Sequence, residues 1–176
     1  MWSIFKKSLW NKELIAWYLY DFANSFIFIN MLIYFSQWVV VDNGLSDFWF
    51  SVPVILATIV LIFLSTHIGN KGDKHGSHFK IFKIVTILTI VSVIALIIAG
   101  RGISNNYGVI AALVFFGIYQ IFYQLSFVPY NAFMKHISSK EEYGKVSGIG
   151  TAIGQLGNIM GLIITLPLIN KSITLF

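Results

Sequence analysis

Five apolar runs, each long enough to cross a bilayer, constrain this chain more than any other feature. A spanning helix needs about 20 mostly apolar residues. Residues 14–41, 48–68, 79–99, 107–130 and 146–169 each reach that length. Inside hydrocarbon the protein itself must satisfy every backbone N–H and C=O, which admits only helices and closed barrels. The runs are longer than barrel strands of roughly 9–11 residues. The expected fold class is therefore an all-α membrane protein with about five transmembrane helices. Composition agrees, because only 11% of the 176 residues are charged and 57% are hydrophobic, whereas soluble domains carry roughly 25% charge. Residues 1–176 are expected to form a single transmembrane helical bundle.

The net charge of +5 does not mark a nucleic-acid binder, because the basic residues lie in short segments between the apolar runs. The lipid bilayer is the expected partner, and no nucleic acid is. With the N-terminus in the cytoplasm, the inner segments hold Lys6, Lys7, Lys12, Lys71, Lys74, Lys80, Lys83, Lys135, Lys140 and Lys145. The outer side then holds only Arg101 and Lys171, a ratio of ten to two. Cytoplasmic loops are enriched in Lys and Arg, so this orientation is expected, in the plasma (inner) membrane. An odd number of spans then puts the C-terminus outside. Asp42 and Asp47 fall in the first outer loop. Trp10 and Trp17 near the inner start of the first span, with Trp38 and Trp49 near the outer turn, fit interfacial aromatic belts. The first run is read as a retained span rather than a cleaved signal. No small-residue cleavage site follows Tyr34, and Asp21 and Asn24 interrupt the apolar core.

The polar residues inside the spans are few. Asp21 lies roughly 10 Å along the first helix from Leu14, at about 1.5 Å per residue. An intramembrane carboxylate is costly unless hydrated, paired or protonated. Asn24 and Ser25 follow at i+3 and i+4, on the same face. Two readings stand side by side: a proton or substrate group, or a structural hydrogen bond near the cytoplasmic interface. Gln120 and Gln124 lie one turn apart on the fourth span, beside Tyr119 and Tyr123. They can bind a polar solute or join helices. Pro129, Tyr130 and Asn131 are expected to close that helix. The fifth span carries Gly150, Gly154, Gly157 and Gly161 on one face, the spacing of tight helix packing. Between the second and third spans, Gly69 to Gly76 reads as a tight cytoplasmic turn.

No cysteine is present, so disulfides and Cys-based metal sites are excluded. His67, His75 and His78 match no standard metal-ligand spacing. No metal or other cofactor is expected. Neither a P-loop, an HExxH helix nor a GxSxG elbow occurs, so the chain is not expected to be an enzyme.

Four of these stretches together resemble one family. Trp17-Tyr18-Leu19-Tyr20-Asp21-Phe22-Ala23-Asn24-Ser25 resembles the first helix of a branch of the major facilitator superfamily: the autophagy-related vacuolar amino-acid effluxers and their bacterial relatives. Gly69-x-x-x-Asp73-x-x-Gly76 resembles the superfamily's signature between helices two and three. Pro129-Tyr130-Asn131-Ala132-Phe133 resembles the branch's end of helix four. Ser147-Gly148-x-Gly150-x-x-x-Gly154-x-x-Gly157 resembles its fifth helix. One departure is Ser77-His78, where the superfamily signature continues with basic residues.

The resemblance covers helices one to five of a fold of about twelve, so it implies an incomplete N-terminal half of a major facilitator fold. In such folds, repeats within and between halves build a site near the bilayer midplane. The implied function is membrane transport of a small polar solute by alternating access, with amino-acid efflux as the branch's activity. Asp21 would be a proton-linked or gating group, and Asn24, Gln120 and Gln124 cavity groups. Gly69, Asp73 and Gly76 would shape a cytoplasmic gate, and the glycine ladder a packing or sliding face. The implied partners are the solute, and a missing second half or further copies of the chain in a homo-oligomer. The rival expectation is a truncated or non-transporting membrane subunit with a structural or interaction role.

Overall fold

The computed structural model describes residues 9–102 and 106–173. Lys6, Lys7 and the side chain of Lys171, counted above in the charge asymmetry, lie outside what is described. The elements are α1 (Lys12–Asn30), α2 (Asp47–His75), α3 (His78–Gly102), α4 (Asn106–Ile137) and α5 (Tyr143–Ile173). A single 3₁₀ turn, Lys140–Glu142, precedes α5, and no strand occurs among the described residues. Five segments are long and apolar enough to cross a membrane: Lys12–Asp42, Asp47–His75, His78–Gly102, Tyr107–Ile137 and Lys140–Leu168. The fold is all-α, and each apolar run of the sequence coincides with one of these segments, the fifth run ending one residue beyond Leu168.

Local chemistry sets the helix ends. Leu14 N–H donates to the Asn11 side-chain oxygen at 2.8 Å, capping α1, and Glu13 lies in its first turn. Both offset the exposed N–H groups and positive dipole of a helix start. Beyond Asn30 the backbone widens into π turns at Met31–Phe35 and Trp38–Asp42. The sequence carried no signal for these.

The chain forms two compact units. Unit one contains residues up to Phe35 and from Met134 onward. Here α1 and α5 pack side by side and parallel: Trp17 meets Gly150, Asp21 meets Gly154, Phe22 meets Gly157, and Ile29 meets Gly161. Further along, the Tyr34 hydroxyl donates to the Leu162 carbonyl at 2.9 Å. Parallel packing is what a bilayer requires of two helices separated by three crossings.

Unit two spans Ser36–Phe133. Within it α2 and α4 are parallel: Phe50 stacks on Phe116 at 5.1 Å, Pro53 meets Gly117, and Gly69 meets Val128. The third helix, α3, runs antiparallel to α4. Phe82 packs edge-on against Phe133 at 5.3 Å, and Gly100 lies beside Ala112. Leu61, Val85 and Leu125 bring the three helices into one buried cluster.

Two sequence expectations are corrected here. Most of the Gly69–Gly76 stretch is helix: α2 continues to His75, and the turn is confined to Gly76 and Ser77. Gly76 has φ +58°, the left-handed conformation that glycine adopts without penalty. Its N–H donates back to the Gly72 carbonyl, as does that of Ser77 at 3.1 Å. Likewise Pro129 does not close α4, which runs on to Ile137. Within a membrane, a proline can be kept inside a helix because its neighbours preserve the rest of the hydrogen-bond ladder.

The tryptophans divide. Trp10 and Trp49 are exposed, whereas Trp17 is buried with its ring over Gly150, and the Trp38 ring lies over Gly100. The two indoles over glycines pack against helix backbone.

Candidate functional site

Polar groups in unit one converge where α1 meets the glycine face of α5. A β-carbon at Gly150 would lie 2.5 Å from the Trp17 ring. One at Gly157 would collide with the Phe22 carbonyl oxygen, and one at Gly161 would lie 2.9 Å from the Phe26 carbonyl oxygen. All four ladder glycines are buried, and their missing side chains allow the α5 backbone to reach α1. At Gly154 the facing groups are polar. Its β-carbon position is 2.9 Å from Asp21 Oδ2 and 3.1 Å from Ser25 Oγ.

Asp21 is half-buried and makes no ion pair among the described residues. Asn24, only 7% exposed, has a buried side-chain nitrogen without a hydrogen-bond partner among the described residues. Two more amides flank the same helix pair. Asn30 donates to the Phe26 carbonyl at 2.7 Å, and Asn158 donates to Gln155 Oε1 at 3.0 Å. Both leave a buried amide oxygen without a partner among the described residues. A carboxyl group with nearby hydroxyl and amide groups can exchange a proton or engage a polar solute. Buried polar groups without partners cost about 1–3 kcal/mol each, so each calls for an explanation, functional or structural.

In unit two, the second cluster lies on α4. Gln120 is buried and its Oε1 has no hydrogen-bond partner among the described residues, while Gln124 is half-buried. Beside them Tyr119 is 0% exposed, and its hydroxyl also has no partner among the described residues. Its ring belongs to an aromatic ladder that runs from Phe116 through Tyr119 and Tyr123 to Phe127, with centroid separations of 6.1, 5.4 and 5.3 Å. Sequence reasoning placed Tyr119 beside the glutamines without singling it out. The available signal was a tyrosine, rather than a phenylalanine, at a buried helical position, where a hydroxyl needs a partner.

An apolar cavity of about 570 Å³ opens between α2 and α4, lined by Trp49, Pro53, Ala57, Leu113, Gly117 and Ile121 among others. None of Gln120, Gln124 or Tyr119 lines it, so it offers nothing to a polar solute.

The α2–α3 turn carries the third group. Asp73 Oδ1 lies 3.0 Å from His78 Nε2, the sole ion-pair contact among the described residues when His78 is protonated. Gly72 is buried beneath the His78 imidazole, where any β-carbon would collide with the ring. The Ser77 hydroxyl donates to the Lys71 carbonyl at 3.3 Å. Gly69 is an ordinary helical residue in van der Waals contact with Val128. Thus Asp73 and Gly76 shape the turn itself, and Gly69 lies two turns back on α2. Of the candidates, Asp21, Asn24 and the glycine ladder lie in unit one; Gln120, Gln124 and the turn residues lie in unit two.

Comparison with curated proteins and with solved structures gives no match. The family model of the Major Facilitator Superfamily matches residues 1–162. That match covers most of the chain and all but the last turns of α5, and the superfamily is one of membrane transporters. With five apolar helices of spanning length and acid and amide groups set among them, the chain belongs to the Major Facilitator Superfamily.

Proposed function

We propose that this chain takes part in proton-linked transport of a small polar solute, with amino acids as the substrate class, in the manner of the autophagy-related effluxer branch it resembles. The observation that carries this reading is Asp21. It is an acid inside a mostly apolar span, without an ion pair among the described residues, and with Ser25 beside it against the α5 backbone. Such an acid is costly to keep in a membrane and is a functional candidate by default.

In this reading Asp21 loads and releases the coupling proton; Asn24 in unit one, and separately Gln120 and Gln124 in unit two, are candidate solute-binding groups. Amides suit a zwitterion, since each offers both a donor and an acceptor. The Asp73–His78 contact and Gly76 form part of a cytoplasmic gate. The N-terminus is cytoplasmic, supported by the asymmetry of Lys and Arg; the plasma (inner) membrane is part of the proposal. The test is uptake of a labelled amino-acid mixture into proteoliposomes holding the full chain, with and without an imposed pH gradient. Gradient-dependent accumulation supports the reading. Accumulation that ignores the gradient removes the proton from it, and no uptake of any amino acid removes the substrate class.

A further inference from the structure

We propose that Gly154 is a positioning residue for the Asp21 carboxyl group: by presenting bare backbone to Asp21 and Ser25, α5 sets the orientation in which that acid exchanges its proton. The proposal rests on the coupling role given to Asp21 above and deepens it.

The four ladder glycines share a helix face but not a task. Gly150 faces an indole, Gly157 a backbone carbonyl, and Gly161 a backbone carbonyl with Ile29 and Asn30 beside it. Gly154 alone of the four faces a carboxylate. Its nearest neighbours are Asp21 Oδ2 at 2.9 Å, Ser25 Oγ at 3.1 Å and Asp21 Cγ at 3.2 Å from the β-carbon position. These atoms belong to side chains that can rotate, whereas the Phe22 carbonyl at Gly157 cannot move without its helix. A methyl group at Gly154 is therefore accommodated by turning the carboxyl group and the hydroxyl away, with the helix pair kept together. The new rotamer places the carboxyl group in different solvation and against different hydrogen-bond partners, which are the determinants of proton affinity.

No competing charge on α5 obscures this effect. The residues around Gly154 on α5 are neutral, including Gln155 and Asn158, and the ionisable groups of its described side chains, Tyr143 and Lys145, lie at its start, about two or more turns away. On α1, Lys12 and Glu13 are exposed at the helix start, Tyr18 is buried with its hydroxyl 3.4 Å from the Leu9 carbonyl, and Tyr20 precedes Asp21. Glu141 and Glu142 lie in the turn before α5.

The test follows the Asp21 proton directly, so it needs no substrate. The full chain in lipid is titrated by infrared difference spectroscopy, and the carboxylic-acid C=O band absent from Asp21→Asn is assigned to Asp21. Gly154→Ala is compared with wild type and with Gly150→Ala, which adds the same methyl against Trp17 on the same helix face. The proposal expects Gly154→Ala to move the Asp21 midpoint by about half a pH unit or more, roughly a threefold change in proton affinity. Gly150→Ala should leave it in place. A second arm, Gly154→Ala with Ser25→Ala, frees room beside the carboxyl group and should return the midpoint toward the value of Ser25→Ala alone. An unmoved midpoint in Gly154→Ala, or an equal shift in Gly150→Ala, overturns the proposal. Neither result touches the coupling role, which stands or falls on gradient-driven uptake by Asp21→Asn.

Discussion

The carboxylate of Asp21 lies against the α-carbon of Gly154, with 2.9 Å between its Oδ2 and the place a β-carbon would take. An acid on one spanning helix thus rests on the bare backbone of another, and small residues on α5 do more than permit close packing. Along this seam, the cost of adding a methyl should depend on what it meets.

At Gly157 the obstacle is the Phe22 carbonyl. Backbone cannot rotate aside, so Gly157→Ala should destabilise the protein by about 1–3 kcal/mol, the usual range for overpacking. Gly148 lies on the exposed side of the same helix with nothing within 4 Å. Gly148→Ala should be neutral, or stabilising by up to about 1 kcal/mol through helix propensity. Thermal unfolding in detergent distinguishes the two, and equal behaviour would count against the close α1–α5 approach.

The glycines of the α2–α3 signature should separate in the same way. Gly76 adopts φ +58°, so Gly76→Ala should cost about 1 kcal/mol. Gly69 is helical and loosely contacted, 3.7 Å from Val128, so Gly69→Ala should be tolerated without loss of stability. If both were costly, the turn would involve Gly69 after all. Asp73→Asn should change stability by no more than about 1 kcal/mol, because Asp73 is 69% exposed and its contact with His78 is screened by water.

How much of this was legible in the sequence depends on the physics behind each signal. Hydrophobic run length gave the five helices, because the bilayer leaves the backbone no other way to satisfy itself. The glycine spacing located the α5 face, since residues at three- and four-residue intervals align on a helix. It could not name the partner: that α1 lies opposite, and that Asp21 falls at Gly154, is tertiary information. Glycine reads in sequence as a turn former, which makes Gly69 to Gly76 look like a loop. Only Gly76 uses the left-handed conformation, while Gly72 makes room for the His78 ring. The end of α4 was misread because Pro129 breaks helices in water far more readily than in a membrane. The unpartnered hydroxyl of Tyr119 emerged only once its burial was known.

The buried amide on α4 offers a test of a different kind. Gln120 Oε1 has no hydrogen-bond partner among the described residues, so Gln120→Leu removes an unsatisfied group rather than a bond. Stability should be unchanged or higher, as expected when a buried polar atom is replaced by apolar bulk. Uptake should fall several-fold if the amide holds solute. Lower stability with unchanged uptake would reassign Gln120 to joining helices.

Orientation is testable without any transport assay. Reporter fusions after Asn43, Lys74, Asn105 and Lys140 should report outside, inside, outside and inside in turn, from the bias of Lys and Arg. A cytoplasmic signal after Asn43 would reverse the assignment.

The central claim, that Asp21 couples solute movement to protons, is tested most directly by Asp21→Asn in proteoliposomes at matched protein content. The substitution keeps size and polarity and removes the ionisable proton. Solute exchange without a gradient should persist, while accumulation driven by an imposed pH gradient should fall to the level of protein-free vesicles. Accumulation by Asp21→Asn equal to that of the wild-type chain would contradict the claim and return Asp21 to a purely structural role.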